Sequence, residues 1–319
     1  MNYFSTFSGI GGFELGINQA YEVSDRHQLL EPNEDILENS TNSKGLWERR
    51  KQNAVCIGYS EIDRYAIATY EHHFPDHKNY GDITAIDADK LPDFDLLVGG
   101  FPCQAFSVAG KRRGFLDETR GTLFFDLARI LRAKRPKYFV FENVKGLLSH
   151  DGGRTFDTII TTLNELWYDL QWQVLNSKDW GVPQNRERVF IVGHLRDEPR
   201  PEVFPLGTSY TKSKEISEPN DPRHSNAREY EEQGVITSTI TTENAHGFGK
   251  NVTANQVYDI ASLTGNIRRL TPTECERLQG FPDAWTLGSD TQRYKQCGNA
   301  VTVNVVQAVM QRLFDQPND

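Results

Sequence analysis

Short, almost uninterrupted apolar runs recur through the first 200 residues, and each is followed by a stretch whose apolar side chains return at helical spacing. "YFSTF" (3–7), "AVCIGYSE" (54–61), "FDLLVGG" (94–100), "YFVFEN" (138–143) and "RVFIVGH" (188–194) have the β-branched and aromatic content of strands. "GGFELGINQAY" (11–21), "RYAIATYEHHF" (64–74), "GTLFFDLARILRAK" (121–134) and "RTFDTIITTLNELW" (154–167) have the periodicity of amphipathic helices. A strand that is apolar at successive positions has no wet face, so it must lie in a mainly parallel sheet with helices packed on both sides. The expected class is α/β, with a doubly wound, mainly parallel sheet.

Two segments break the rhythm. Residues 24–53 are polar and charged with little periodicity and read as an insertion after the first helix. From 196 onward the alternation gives way to Pro, Ser, Thr, Asn and Gly with short β-prone pieces, "GVITSTITT" and "NQVYDIASL". We expect a catalytic domain over 1–195 that carries the 24–53 insertion, and a smaller strand-and-loop unit over 196–295. That unit includes "RRLTPTECERLQGFP" (268–282), a helix begun by Thr271 or Thr273 and ended at Gly280. A helix within 296–319, in "NAVTVNVVQAVMQRLF", returns to the first domain.

Doubly wound sheets bind ligands beyond the carboxyl ends of their strands. "FSGIGG" (7–12) places glycines there, where the backbone must turn tightly and approach a ligand, and Gly16 follows. Glu61 closes the second strand, where a carboxylate can hold the two hydroxyls of a ribose. Asp82 in "YGDIT" can accept a hydrogen bond from an adenine amine. Each acid can equally cap a helix; the three features together point to an adenosine-containing cofactor.

The four cysteines, Cys56, Cys103, Cys275 and Cys297, are far apart, with no C-x-x-C pair and no histidine spacing suited to zinc. That argues against a disulfide framework or a metal site. Cys103 follows "DLLVGG" at the end of a strand, whereas a structural cysteine would sit inside an apolar run. Pro102 fixes the backbone before it, and Lys111, Arg112 and Arg113 after it favour thiolate over thiol. Cys103 therefore reads as a nucleophile. Glu142 ends "FVFENV", and a carboxyl in a dry pocket beside Cys103 suits proton delivery to a ring nitrogen; a cap is the competing reading. Arg186 and Arg188 in "QNRERVFIVG" are alternate residues on one face. They suit anchoring a carboxylate or a base edge, against the alternative of surface charge.

A net charge of -9 weighs against broad phosphate binding. Its distribution says otherwise, because residues 103–154 hold eleven Lys and Arg against five Asp and Glu. No apolar run approaches the length of a membrane span, and a cytoplasmic protein is expected.

Taken in order, "FSGIGG", "GGFPCQAFSVAG", "FENV", "QNRERVFIVG", "RRLTPTECERLQGFP" and "GNAVTVNV" resemble the C5-cytosine DNA methyltransferases of bacteria and phages. The match spans most of residues 3–195 and 268–314. The resemblance implies a Rossmann-like fold that transfers a methyl group from S-adenosylmethionine to C5 of a cytosine in a duplex DNA site, leaving S-adenosylhomocysteine. It implies that Cys103 adds to C6, that Glu142 bonds N3 and the exocyclic amine, and that Arg188, with Arg186 near it, holds the base and that carboxylate. For the cofactor it implies Phe7, Ser8, Gly9, Gly11 and Gly12 at the methionine part, Glu61 at the ribose and Asp82 at the adenine. Ile62, Ile83, Pro102, Leu123, Asn299 and Val301 would line the same pocket. For DNA it implies Gln104, Ser107, Lys111, Arg112 and Arg113 in the loop 104–121, and Thr239 and Ile240 in "TSTITT".

The chemistry explains the set. Covalent addition at C6 divides one hard step into two easier ones, and C5 is out of reach until the base leaves the stack. Residues 196–267 fall where the family carries its target-recognition region, yet hold seven basic residues against eleven acidic. The expected partner is double-stranded DNA, met by a monomer with no membrane contact, either in a restriction-modification setting with a cognate endonuclease encoded nearby or in a phage or solitary setting without one. One rival is a tRNA cytosine methyltransferase; such relatives carry a further proline where this chain has Phe101. The other is a decayed, non-enzymatic scaffold, against which the intact Cys103, Glu142 and Arg188 set argues.

Overall fold

The computed structural model describes residues 1–30, 54–102, 123–199, 201–207, 237–238, 256–258 and 267–315. Its main sheet is built from β1 (Asn2–Thr6), β2 (Val55–Ser60), β3 (Leu96–Gly100), β4 (Tyr138–Val144), β5 (Tyr168–Asn176) and β7 (Glu187–Leu195), while the short β6 (Gln184–Asn185) lies outside it. Six strands run in the order β2-β1-β3-β4-β7-β5. The first four are mutually parallel, and β7 is antiparallel to both β4 and β5.

Successive residues of the central strands feed opposite layers, as a sheet covered on both faces requires. Phe4, Leu97 and Phe139 pack with Phe124, Leu127 and Leu131 of α3 and with Ile159 and Leu163 of α4. Tyr3, Leu96, Val98 and Val140 pack instead with Phe13 and Ile17 of α1 and with Val306, Val309 and Met310 of α7. The helices are α1 (Gly12–Leu30), α2 (Arg64–His73), α3 (Leu123–Lys134), α4 (Arg154–Glu165), α5 (Pro272–Leu278), α6 (Asp290–Asn299) and α7 (Val303–Phe314). Gly16 lets α1 and α7 meet, since a Cβ there would lie 2.6 Å from Val306 Cγ1. It is a packing glycine, away from any ligand.

Strand β5 was not foreseen in "YDLQWQVLN", because it lies at the sheet edge and most of its residues are only partly buried. Its polar side chains have a purpose there. Gln171 Nε2 donates to Pro201 O, and its Oε1 accepts from the N–H groups of Val203 and Phe204. Gln173 grips both polar backbone groups of Leu206. The chain's own next segment is thereby held over one face of the edge strand, where Val203 joins the core layer of Leu175 and Phe190.

Beyond it, β8 (Thr237–Ser238) runs parallel to β6, and β9 (Gln256–Tyr258) pairs antiparallel with β10 (Ile267–Arg269). Thr271 starts α5 through a capping box with Glu274, and Gly280 turns the chain with φ 78°. Buried Glu276 then organises the following turn by accepting from the N–H groups of Ala284 and Thr286.

Glu14, in the first turn of α1, is fully buried beneath the sheet's carboxyl end, where its Oε1 accepts from Tyr70 Oη at 3.0 Å. Tyr70 also meets His77 Nδ1 at 3.0 Å. Burial pushes the Glu14 carboxyl up from 4.5 to about 7, against the pull of its hydrogen bonds from Ser5 and Tyr70. Between those values the folded chain keeps a proton that the unfolded chain releases, so this group's contribution to stability falls as pH rises from 4.5 to about 7. Glu14→Gln should therefore match the wild type at about pH 4 and exceed it at about pH 8 by at most about 3 kcal/mol. Thermal unfolding at the two pH values measures this; equal midpoints at the higher pH would contradict it.

Candidate active site

The backbone after β1 leaves the strand through three residues of positive φ, namely Phe7 (50°), Gly9 (55°) and Gly11 (87°). For Phe7 that conformation is strained, and such strain collects at functional sites. The turn is held from three sides. Gly9 N–H donates to Glu61 Oε2 at 2.8 Å, Ser8 N–H donates to Ser60 O at 3.3 Å, and Trp285 Nε1 donates to Ile10 O at 2.9 Å. Trp285 itself stacks on His73 with ring centroids 3.6 Å apart. The segment after α5 is thus seated on α2 and on the glycine turn.

A cavity of about 450 Å³ opens at this end of the sheet. The glycine-turn residues Phe7, Gly9 and Ile10 line it beside Glu61, Ile62, Asp82 and Ile83. Pro102, Leu123, Glu142, Arg186, Arg188 and Asn299 line it as well. Ser8, Gly11, Gly12 and Val301 stand behind the wall. Ser8 Oγ donates to Ser5 Oγ, and a Cβ on Gly11 would strike the Phe74 ring at 2.4 Å. A Cβ on Gly12 would lie 2.7 Å from Val301 Cγ1. Cys103, Gln104, Ser107, Lys111, Arg112, Arg113, Thr239 and Ile240 lie outside the described residues.

The two acids on the cofactor side do cap backbone. Glu61 Oε1 accepts from the N–H groups of Ile62 and Asp63, both at 2.8 Å. Asp82 Oδ1 accepts the N–H and hydroxyl of Thr84, both at 2.9 Å. Capping and ligand binding are compatible, because a carboxylate has about four acceptor sites. An adenosine-bearing group fits what is present. The volume lies in the usual range of cofactor clefts, a Cβ on Gly9 would have open space around it, and the apolar Ile62 side chain is left 71% exposed.

At the other wall, the parallel register pairs Gly100 with Glu142. A Cβ on Gly100 would lie 3.1 Å from Glu142 Oε2, so the glycine leaves room for that carboxylate. The Glu142 carboxyl group is largely buried and meets the partner that the resemblance implies, with Arg188 Nε 2.9 Å from its Oε1. Arg186 is turned to different work, its Nη2 donating to the carbonyls of Gly298 and Ala300. Phe101 is 4% exposed and packs on Phe124, with ring centroids 5.6 Å apart. Its side chain belongs to the core.

Three further residues escaped the sequence reading. Asn143 spans the exits of β3 and β4, with Nδ2 donating to Phe101 O at 2.9 Å and Oδ1 accepting from Val144 N–H at 2.8 Å. Lys295 of α6 and Asp63 at the start of α2 pair at 2.7 Å on the cavity's rim. Asn143 sits inside a quoted motif, but Lys295 and Asp63 meet across 232 residues and carried no local signal.

The family model for C-5 cytosine-specific DNA methylases matches residues 1–256 and 207–315. The Type II methyltransferase M1.ScrFI of Lactococcus lactis subsp. cremoris is 38% identical over 333 residues, covering 97% of this chain and 77% of its own. The Type II methyltransferase M.NlaX of Neisseria lactamica is 36% identical, covering 96% of this chain and 94% of its own. Among solved structures, the S. pombe Dnmt2 methyltransferase superposes with a TM-score of 0.65 at 19% identity, covering 99% of this chain and 98% of its own, a likeness of fold.

Asn143 allows a direct test of the strand exits. Asn143→Asp keeps the shape but sets an acceptor against the Phe101 carbonyl, leaving buried polar groups unpaired. A loss of about 1–3 kcal/mol is expected, read from the urea midpoint. An unshifted midpoint would show that the clamp contributes nothing.

Proposed function

The chain belongs to the C-5 cytosine-specific DNA methylases, and from that membership we propose how its own residues carry out the reaction. It is a DNA cytosine-5 methyltransferase that uses an S-adenosylmethionine-type donor. The observation that carries the residue assignment is the Glu142–Arg188 pair, held in the same cavity as the glycine turn and Pro102.

S-adenosylmethionine supplies the electrophilic methyl group. Phe7 and the glycine turn receive its methionine part, Glu61 its ribose hydroxyls and Asp82 its adenine amine, with Ile62, Ile83 and Leu123 supplying apolar walls. Pro102 leads directly into Cys103, whose thiolate adds to C6 of the extruded cytosine and leaves electron density at C5. Glu142 delivers a proton to N3 and accepts from the exocyclic amine while Arg188 keeps the carboxyl group in place, so that the negative charge arising as the sulfur adds to C6 is taken up at N3. Once C5 is methylated, a solvent base takes its proton, the C–H electron pair restores the C5–C6 double bond, and the C6–S bond breaks to release Cys103 as thiolate.

The loop 104–121, through Gln104, Ser107, Lys111, Arg112 and Arg113, closes on the phosphates around the extruded base. Thr239 and Ile240 belong to the part that reads the site, within the 196–295 unit. The Type II names of the relatives support a restriction-modification setting, with a cognate endonuclease encoded nearby. Acting on cellular DNA as a monomer places the enzyme in the cytoplasm. Among the described residues, no helix is long and apolar enough to cross a membrane.

A duplex bearing 5-fluorocytosine should trap a covalent complex, because fluorine cannot leave as the C5 proton does. Cys103→Ser should form none and should lose turnover while still binding DNA. Full turnover in that variant, or label from the donor appearing in tRNA and not in duplex DNA, would overturn the assignment.

A further inference from the structure

Arg186 is 3% exposed. Its Nη2 donates to the carbonyl oxygens of Gly298 at 3.2 Å and Ala300 at 2.9 Å. A terminal guanidinium nitrogen has two hydrogens, so Nη2 is committed to that turn. The backbone of Arg186 is fixed as well, its N–H donating to Asn176 Oδ1 at 3.1 Å and its carbonyl accepting from Ser177 N–H at 3.1 Å. The two carbonyls close α6, and the open carboxyl end of a helix attracts a cation.

What Arg186 braces is informative. Gly298 and Ala300 flank Asn299, which lines the cavity together with Phe7, Gly9 and Ile10. The next residue, Val301, lies directly on Gly12 of the glycine turn. The turn held by Arg186 is therefore the one that abuts the glycine turn. Glu142 takes its ion pair from Arg188.

We propose that Arg186 is a positioning residue for the cofactor. It presses the 298–301 turn against the glycine turn and acts through Asn299, whereas Arg188 serves the base side through Glu142. The inference rests on the reading of this cavity as the shared site of S-adenosylmethionine and cytosine.

The test compares Arg186→Lys, Val301→Ala and Arg188→Lys in the full chain. S-adenosylmethionine affinity is measured calorimetrically without DNA, kcat and cofactor KM are measured on duplex DNA, and adduct yield on a 5-fluorocytosine duplex is measured at saturating cofactor. Arg186→Lys should raise cofactor Kd and KM about tenfold and leave kcat and adduct yield within about twofold. Arg188→Lys should do the reverse. Val301→Ala should also weaken cofactor binding, and by less in the Arg186→Lys background, since both act on one turn. Wild-type cofactor affinity in Arg186→Lys with reduced adduct would overturn the proposal. Should that variant fail to fold, wild-type cofactor affinity in Val301→Ala would overturn it. A wild type that binds cofactor but forms no adduct would sink the proposed function instead, while the DNA-free binding arm still judges Arg186.

Discussion

The parallel register between β3 and β4 governs the site. Leu96 to Gly100 lie opposite Tyr138 to Glu142, so the strand leading into Pro102 ends beside the Glu142 carboxylate. A slip of one residue would turn Glu142 to the other face of the sheet. Such a slip is resisted by the core, because Leu97 and Phe139 fill one layer while Leu96, Val98 and Val140 fill the other. At the exit, Gly100 gives the carboxylate space and Asn143 ties the two strands together through the Phe101 carbonyl. Packing two layers deep thus sets the position of a single charged group at the edge of the sheet.

The opposite wall is assembled from distant parts of the chain. Glu61 fixes the glycine turn through Gly9, and Trp285 fixes it through Ile10, from a segment more than 270 residues later. The chain leaves the sheet at Leu195, lies over one face of the edge strand as far as Leu206, and is anchored again by β10, α5 and α6. Both ends of the intervening stretch are thus fixed to the scaffold.

Most of the sheet was legible because its central strands have no wet face, and α7 was legible from its apolar periodicity. β5 was hidden by the opposite circumstance: Gln171 and Gln173 look like loop residues until the segment they hold is seen. The motifs located Glu142 and Glu61 at strand ends, and the capping alternative holds for Glu61 and Asp82, although Asp82 follows only an isolated bridge at Asn79 and not a strand. Alternation correctly put Arg186 and Arg188 on one side of the chain. It could not tell their depths apart, since depth depends on where α6 ends. Phe101, read as a clue to the substrate, also packs on Phe124 and Phe141 while lining the cavity, a double position that no local pattern shows. Lys295 and Asp63 show the general limit, in that contacts across most of the chain leave no local pattern.

Two guanidinium groups so close at one cavity need an explanation, because like charges in a poorly solvated place repel. Burial pulls Arg186 down to about 9, Arg188 adds to the fall and Glu142 opposes it. At neutral pH Arg186 therefore stays charged, held by the Gly298 and Ala300 carbonyls on one side and eased by Glu142 on the other. Glu142 accordingly has an electrostatic task before any base arrives, keeping two cations compatible with one cavity. That one carboxylate acts on both guanidinium groups, so a change at Glu142 reaches Arg188 and Arg186 alike.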